Sequence, residues 1–91
     1  MRISMERFVR ELSGRDGTLC AVLAEGTTFF AFDAINARLY KKNITLTSED
    51  RSFSLPRKEI LKISKMACKE EPCAEYEILT IHGNSIIVDV S

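Results

Sequence analysis

Apolar and polar positions follow two rhythms along this chain, a short helical one at the front and an alternating one afterwards. Met5, Phe8, Val9 and Leu12 recur at helical spacing. Ser4 stands where a cap accepts a hydrogen bond from a free amide, and Gly14 can take the left-handed conformation after the end. This pattern predicts a helix over about 4–13. So short a helix is marginal alone and must pack, as a lid over one mouth of a sheet or barrel. Its functional alternative is an interaction helix with Phe8 exposed.

The rest reads as antiparallel strands over about 18–90. "GRDGT" is a turn, and "LCAVLAEGTTFFAF" gives two strands around Glu25, Gly26 and Thr27. Both are apolar almost throughout, which predicts burial on two faces, with Phe29, Phe30 and Phe32 in the core rather than forming a stacking platform. "DAINARLYKKN" fits a short helix capped by Asp33 or a bulged strand; strand is favoured because Tyr40 leads directly into "NITLT".

In "ITLTSEDRSFSL" a loop of Ser48, Glu49, Asp50 and Arg51 sets Leu46 opposite Phe53 and Ile44 opposite Leu55, and Pro56 ends the strand. "RKEILKISKMA" fits helix or strand by itself. Its partner decides for strand: a loop of Lys69 to Pro72 places Ile63 opposite Ile78, Lys65 opposite Tyr76 and Ala67 opposite Ala74. Alternation puts Leu61 on the face of Ile63. For the last hairpin, a loop of His82, Gly83 and Asn84 sets Tyr76 opposite Val90 and Ile78 opposite Val88, with Asn84 left-handed. The expected architecture is α+β, an N-terminal helix packed on a bent antiparallel sheet or small β-barrel, in one domain spanning residues 1–91.

Composition narrows the function. With 91 residues and 45% hydrophobic content, the core is modest, since a chain this size buries about 60 to 65 per cent of its unfolded surface. No metal or disulfide is needed to fold it. The formal net charge is zero, which argues against a protein held on phosphate backbones by excess cations. Charge is nevertheless uneven. Arg51, Arg57, Lys58, Lys62 and Lys65 face only Glu59 in their stretch; Glu70, Glu71, Glu75 and Glu77 then follow with Lys69. Neighbouring strands of complementary charge explain this, and the alternative is a basic binding patch of those five cations. "MRISMERFVRELSG" has no long apolar run, so neither a signal peptide nor a transmembrane span is expected, and the expected compartment is cytoplasmic.

Candidate chemistry is sparse. Cys68 and Cys73 oppose each other at a hairpin mouth, where a bridge is geometrically possible but closes a tiny loop. The expectation is two reduced thiols, whose oxidation would link one chain with little change of fold. Cys20, Cys68, Cys73 and His82 make a zinc set in number only. His82 and Cys73 lie at opposite ends of one strand, about 3.3 Å per residue apart, so no metal site is expected. His82 has no nucleophile placed beside it. The pairs Glu49-Asp50 and Glu70-Glu71 sit at loop tips, where water keeps carboxylates ordinary. Only four glycines are present, and they form no phosphate loop. No catalytic residue and no cofactor is expected.

"ARLYKKNITLTSEDRSFSLPRKEILKI", followed by "YEILTIHGNSIIVDV", resembles the bacterial pleckstrin-homology-like and GRAM-type half-barrels over residues 37–90. That resemblance implies a lipid-headgroup site on the basic face. The order of a leading helix and about five antiparallel strands is similar to Sm-like proteins, and "FDAIN" (Phe32 to Asn36) is similar to their first motif. This second resemblance implies an RNA-binding ring, whose oligomerisation would complete a modest core; no RNA-contact residue carries over. The residues themselves favour a non-enzymatic module that binds another protein or a second copy of itself through exposed strand edges.

Overall fold

The computed structural model describes residues 1–23, 25–49, 51–67 and 73–91. The elements run β1 (Arg2–Ile3), α1 (Met5–Leu12), β2 (Gly17–Leu23), β3 (Gly26–Phe32), β4 (Asn36–Leu39), β5 (Asn43–Ser48), β6 (Arg51–Pro56), β7 (Ile60–Ala67), β8 (Ala74–Thr80) and β9 (Ser85–Val90), with a 3-10 turn at Arg57–Glu59. The fold is α+β, one short helix with mostly antiparallel strands. Six strands form one sheet in the order β1-β7-β8-β9-β2-β3, and β4-β5-β6 form a second. The two sheets do not close into one barrel.

Helix α1 starts as its sequence requires. The Ser4 Oγ accepts a hydrogen bond from the Arg7 amide at 3.1 Å, and Gly14 follows the helix with φ +82°. Phe8 and Leu12 are fully buried. The Phe8 ring stands edge-on to Tyr76, with centroids 5.4 Å apart. The helix is thus a cover on the core, not a free interaction helix.

Registers carry the face assignment across the six-stranded sheet. Ile3, Ile63, Ile78, Ile86, Ala21 and Thr28 form one row, each paired with the next. Lys65, Tyr76, Val88, Leu19 and Phe30 form the row beside it. Leu19, Ala21, Tyr76, Ile78, Ile86 and Val88 share one core with Ala37, Ile44 and Leu46 of the smaller sheet. The opposite face carries the row Arg2, Ser64, Glu77, Ile87, Cys20 and Phe29.

The β5–β6 register agrees with the expectation, with Leu46 opposite Phe53 and Ile44 opposite Leu55. Ser48 and Arg51 also pair, so the turn is tighter than four residues; Asp50 lies outside the described residues. Ile63, Lys65 and Ala67 meet Ile78, Tyr76 and Ala74 as expected, while the Lys69 to Pro72 loop lies outside the described residues.

Three expectations are corrected. A bulge between Ile60 and Lys62 turns Leu61 out to 57% exposure, because the chain leaves the 3-10 turn out of step with β8. In the last hairpin Tyr76 pairs with Val88 and Ile78 with Ile86, two residues from the expected register. Gly83, at φ +79°, takes the left-handed position there, and its amide bonds the Thr80 carbonyl at 3.1 Å. A slip of two keeps every side chain on its face, so the alternation was satisfied either way. Finally, β3 is an edge strand and is not buried on two faces: Phe30 and Phe32 are in the core, but Phe29 is 62% exposed.

Candidate functional site

β3 stands at one end of the larger sheet, with no strand beyond it among the described residues. An edge strand presents a row of unpaired amides and carbonyls, and proteins usually blunt such edges with charge, proline or brevity. The other edges here are blunted. β1 at the far side has two residues. β6 begins with Arg51 and ends with Pro56. β4 has four residues and lies against α1. β3 has seven residues, GTTFFAF, with no charge and no proline. Its residues Gly26 to Phe29 are all exposed, and Val22 beside it on β2 is exposed as well. Cys20 pairs with Phe29 and Val22 with Thr27, so an apolar strip follows the open edge.

The five cations of the expected basic patch are dispersed. Arg51 lies at the start of β6, its guanidinium 6.0 Å from the Phe30 ring centroid. Arg57 follows the other end of that strand, about 20 Å away along an extended chain. Lys62 is exposed on β7, paired with Leu79. Lys65 points under α1, with Nζ 2.7 Å from the Glu11 Oε1. Only Arg57 and Lys58 come together. With Lys41, Lys42, Asn43 and Pro56 they line a cleft of about 490 Å³. Lys41 and Lys42 stand outside the expected patch, yet the pairing of Ile44 with Leu55 already implied them. It puts Asn43 opposite Pro56 and the flanking cations side by side.

Glu11 is the centre of a polar knot beneath α1. It accepts hydrogen bonds from the Tyr76 hydroxyl at 2.6 Å, Lys65 Nζ at 2.7 Å and Arg7 Nε at 2.5 Å. Burial alone would raise its pKa, but the hydrogen bonds from Lys65, Tyr76 and Arg7 outweigh it and lower the carboxyl from 4.5 to about 2. Burial, with the hydrogen bond and charge of Glu11, pushes the Tyr76 phenol upward. This knot fastens the helix to the sheet.

A depressed carboxylate stabilises the fold above its unfolded pKa of 4.5, and the contribution is lost as pH falls from there toward 2. Glu11→Gln should therefore cost about 1–2 kcal/mol at pH 7, discounted for partial exposure. The difference from wild type should shrink steadily below pH 4.5, as denaturant unfolding at pH 7, 4 and 3 will show. An equal difference at all three would contradict the knot.

His82 Nε2 lies 2.6 Å from the Glu59 Oε1, over a cleft of about 350 Å³ that Glu25, Thr80 and Asn84 help to line. The buried Thr80 hydroxyl is already committed, accepting from the His82 and Asn84 amides. Among the described residues, no serine or cysteine lines this cleft. On the outer sheet face a hydrogen bond with Asp89, then burial and the charges of Asp89 and Glu77, raise the pKa of Glu75. That is the signature of crowded carboxylates on paired strands.

Cys20 is a free thiol. Cys73 is disulfide-bonded, which corrects the expectation of a reduced thiol there. Cys68 lies outside the described residues. His82 and Cys73 flank opposite ends of β8, and no metal-binding cluster occurs among the described residues. No described helix is long and apolar enough to cross a membrane.

No protein-family model matches this chain, and no curated protein or solved structure matches it either.

Proposed function

We propose that this protein is a small non-enzymatic binding module that pairs with a second copy of itself through β3. The unblunted edge carries this reading: seven uncharged residues at one end of the larger sheet, whereas the edge strands β1, β4 and β6 are short or charged. Edge-to-edge addition satisfies main-chain groups that water otherwise holds. A two-fold antiparallel pairing about Phe29 sets Phe29 against its copy and Thr27 against Ala31, which are all exposed. Zero net charge removes long-range repulsion between copies.

The alternative functions, an Sm-like RNA-binding oligomer or a pleckstrin-like lipid-headgroup domain, draw on Arg51, Arg57, Lys58, Lys62 and Lys65 as one field. The engagement of Lys65 by Glu11 and the distance of Arg51 from Arg57 argue against that field. Self-association needs none of these cations.

Phe29→Lys tests the reading, because its side chain already faces water and the fold does not depend on it. The wild type should sediment as a monomer–dimer equilibrium. The variant should bind itself about 100-fold more weakly, since each copy loses an aromatic contact worth about 1.5–3 kcal/mol and gains a charge facing its twin. A wild type that stays monomeric at several hundred micromolar, on the order of 4–5 kcal/mol of affinity, would rule out the pairing.

A further inference from the structure

We propose that the cleft between the β4–β5 turn and the 3-10 turn is a phosphate-binding site, taking a phosphate monoester through Lys41, Lys42, Arg57 and Lys58. Four cations surround one space of about 490 Å³, and none of them forms a salt bridge with any described residue. The carboxylate nearest in sequence, Glu59, is drawn away to His82 at 2.6 Å. Like charges gathered without a counter-ion repel one another. An entering dianion relieves that repulsion and is attracted by all four groups.

Arg57 is positioned in advance. Its backbone amide donates to the Lys42 carbonyl at 2.8 Å. Its Nη1 donates to the Tyr40 carbonyl at 3.1 Å, which leaves other guanidinium N–H groups for an anion. These two bonds clamp the 3-10 turn to the β4–β5 turn and fix the cleft's width. Asn43 and Pro56, paired across β5 and β6, also line the cleft; Pro56 has no N–H, and the side-chain amide of Asn43 is a neutral donor. The exposed Tyr40 stands in the same turn as Lys41 and offers a surface for the organic part of an ester. A volume in this range holds a phosphate together with a small organic group. The shared chemistry is the phosphate monoester, whether it is carried by a soluble molecule or by an anionic lipid.

The test follows amide resonances of the full chain by NMR while inorganic phosphate, then pyrophosphate, is added, with chloride at equal ionic strength as the control. The expected result is saturable shifts confined to residues 40–43 and 57–59, tighter for pyrophosphate. Lys41→Gln and Lys58→Gln, whose side chains make no hydrogen bond that the fold uses, should each weaken binding on the order of tenfold. Lys62→Gln, outside the cleft, should leave it unchanged. Co-sedimentation with phosphatidylcholine vesicles containing phosphatidic acid separates the two sources. Retention lost in Lys58→Gln assigns a lipid phosphate, and absence of retention with intact phosphate binding assigns a soluble one. Shifts no larger than with chloride, or Lys62→Gln weakening binding as much as Lys58→Gln, would overturn the site. So would single-stranded RNA binding that pyrophosphate does not displace.

Discussion

Phe8→Ala should lower the unfolding free energy by about 3–5 kcal/mol, the cost of emptying a fully buried aromatic site. The ring has no solvent exposure and meets Tyr76 at 79° between planes, an edge-to-face contact that adds to the area it buries. A helix of eight residues does not hold itself together in water. Without Phe8, α1 keeps Leu12 and the Glu11 knot, and neither covers the middle of the sheet. A domain of this size has only about 5–10 kcal/mol in total, so the variant should be partly unfolded at 37 °C. Urea titration followed by circular dichroism reads this directly. A loss below about 1 kcal/mol would mean that the helix is not a cover on the core.

Gly17→Ala should cost about 3 kcal/mol, although it adds a single methyl group. A Cβ built at Gly17 would lie 1.9 Å from the Asp89 carbonyl oxygen and 3.0 Å from the Phe32 ring. The first neighbour is backbone of β9, which cannot step aside without opening the β2–β9 ladder. Overpacking that moves backbone is at the upper end of such penalties. Gly17 pairs with Val90 and with Phe32, so the strain reaches β3 through the strand that holds it. Thermal melting and the same urea titration measure the loss. A neutral substitution would contradict the β2–β9 register.

Much of this fold is written in the alternation. Ile44, Leu46, Phe53 and Leu55 share one apolar face, and the short connection between their strands selects among the registers that keep it. Ile63 and Ile78 pair in the β7–β8 register that the alternation of both strands supports. Alternation has a blind spot of two residues, and the last hairpin fell into it: both registers bury Tyr76 and Ile78. The choice rested on which turn residue goes left-handed, and Gly83 does so at less steric cost than Asn84.

The edge position of β3 was not legible. "TTFFAF" has the composition of a central strand, and sheet order is settled by contacts far apart in the chain, such as β2 with β9. The same holds for Glu11, whose partners Lys65 and Tyr76 lie 54 and 65 residues away. The basic patch failed for a related reason. Closeness in sequence says little along a strand, where Arg51 and Arg57 are separated by its full length. Closeness across a hairpin says more, and it joins Lys41 and Lys42 to Arg57 and Lys58.

Hydrogen exchange of the backbone amides, measured at low and high protein concentration, tests the β3 pairing most directly. The account predicts that amides in Gly26–Phe32 on the open side become protected as concentration rises, while those of Arg51–Pro56 at the other sheet's edge do not change. Exchange of β3 that is independent of concentration, or protection that appears at Arg51–Pro56 instead, would contradict it.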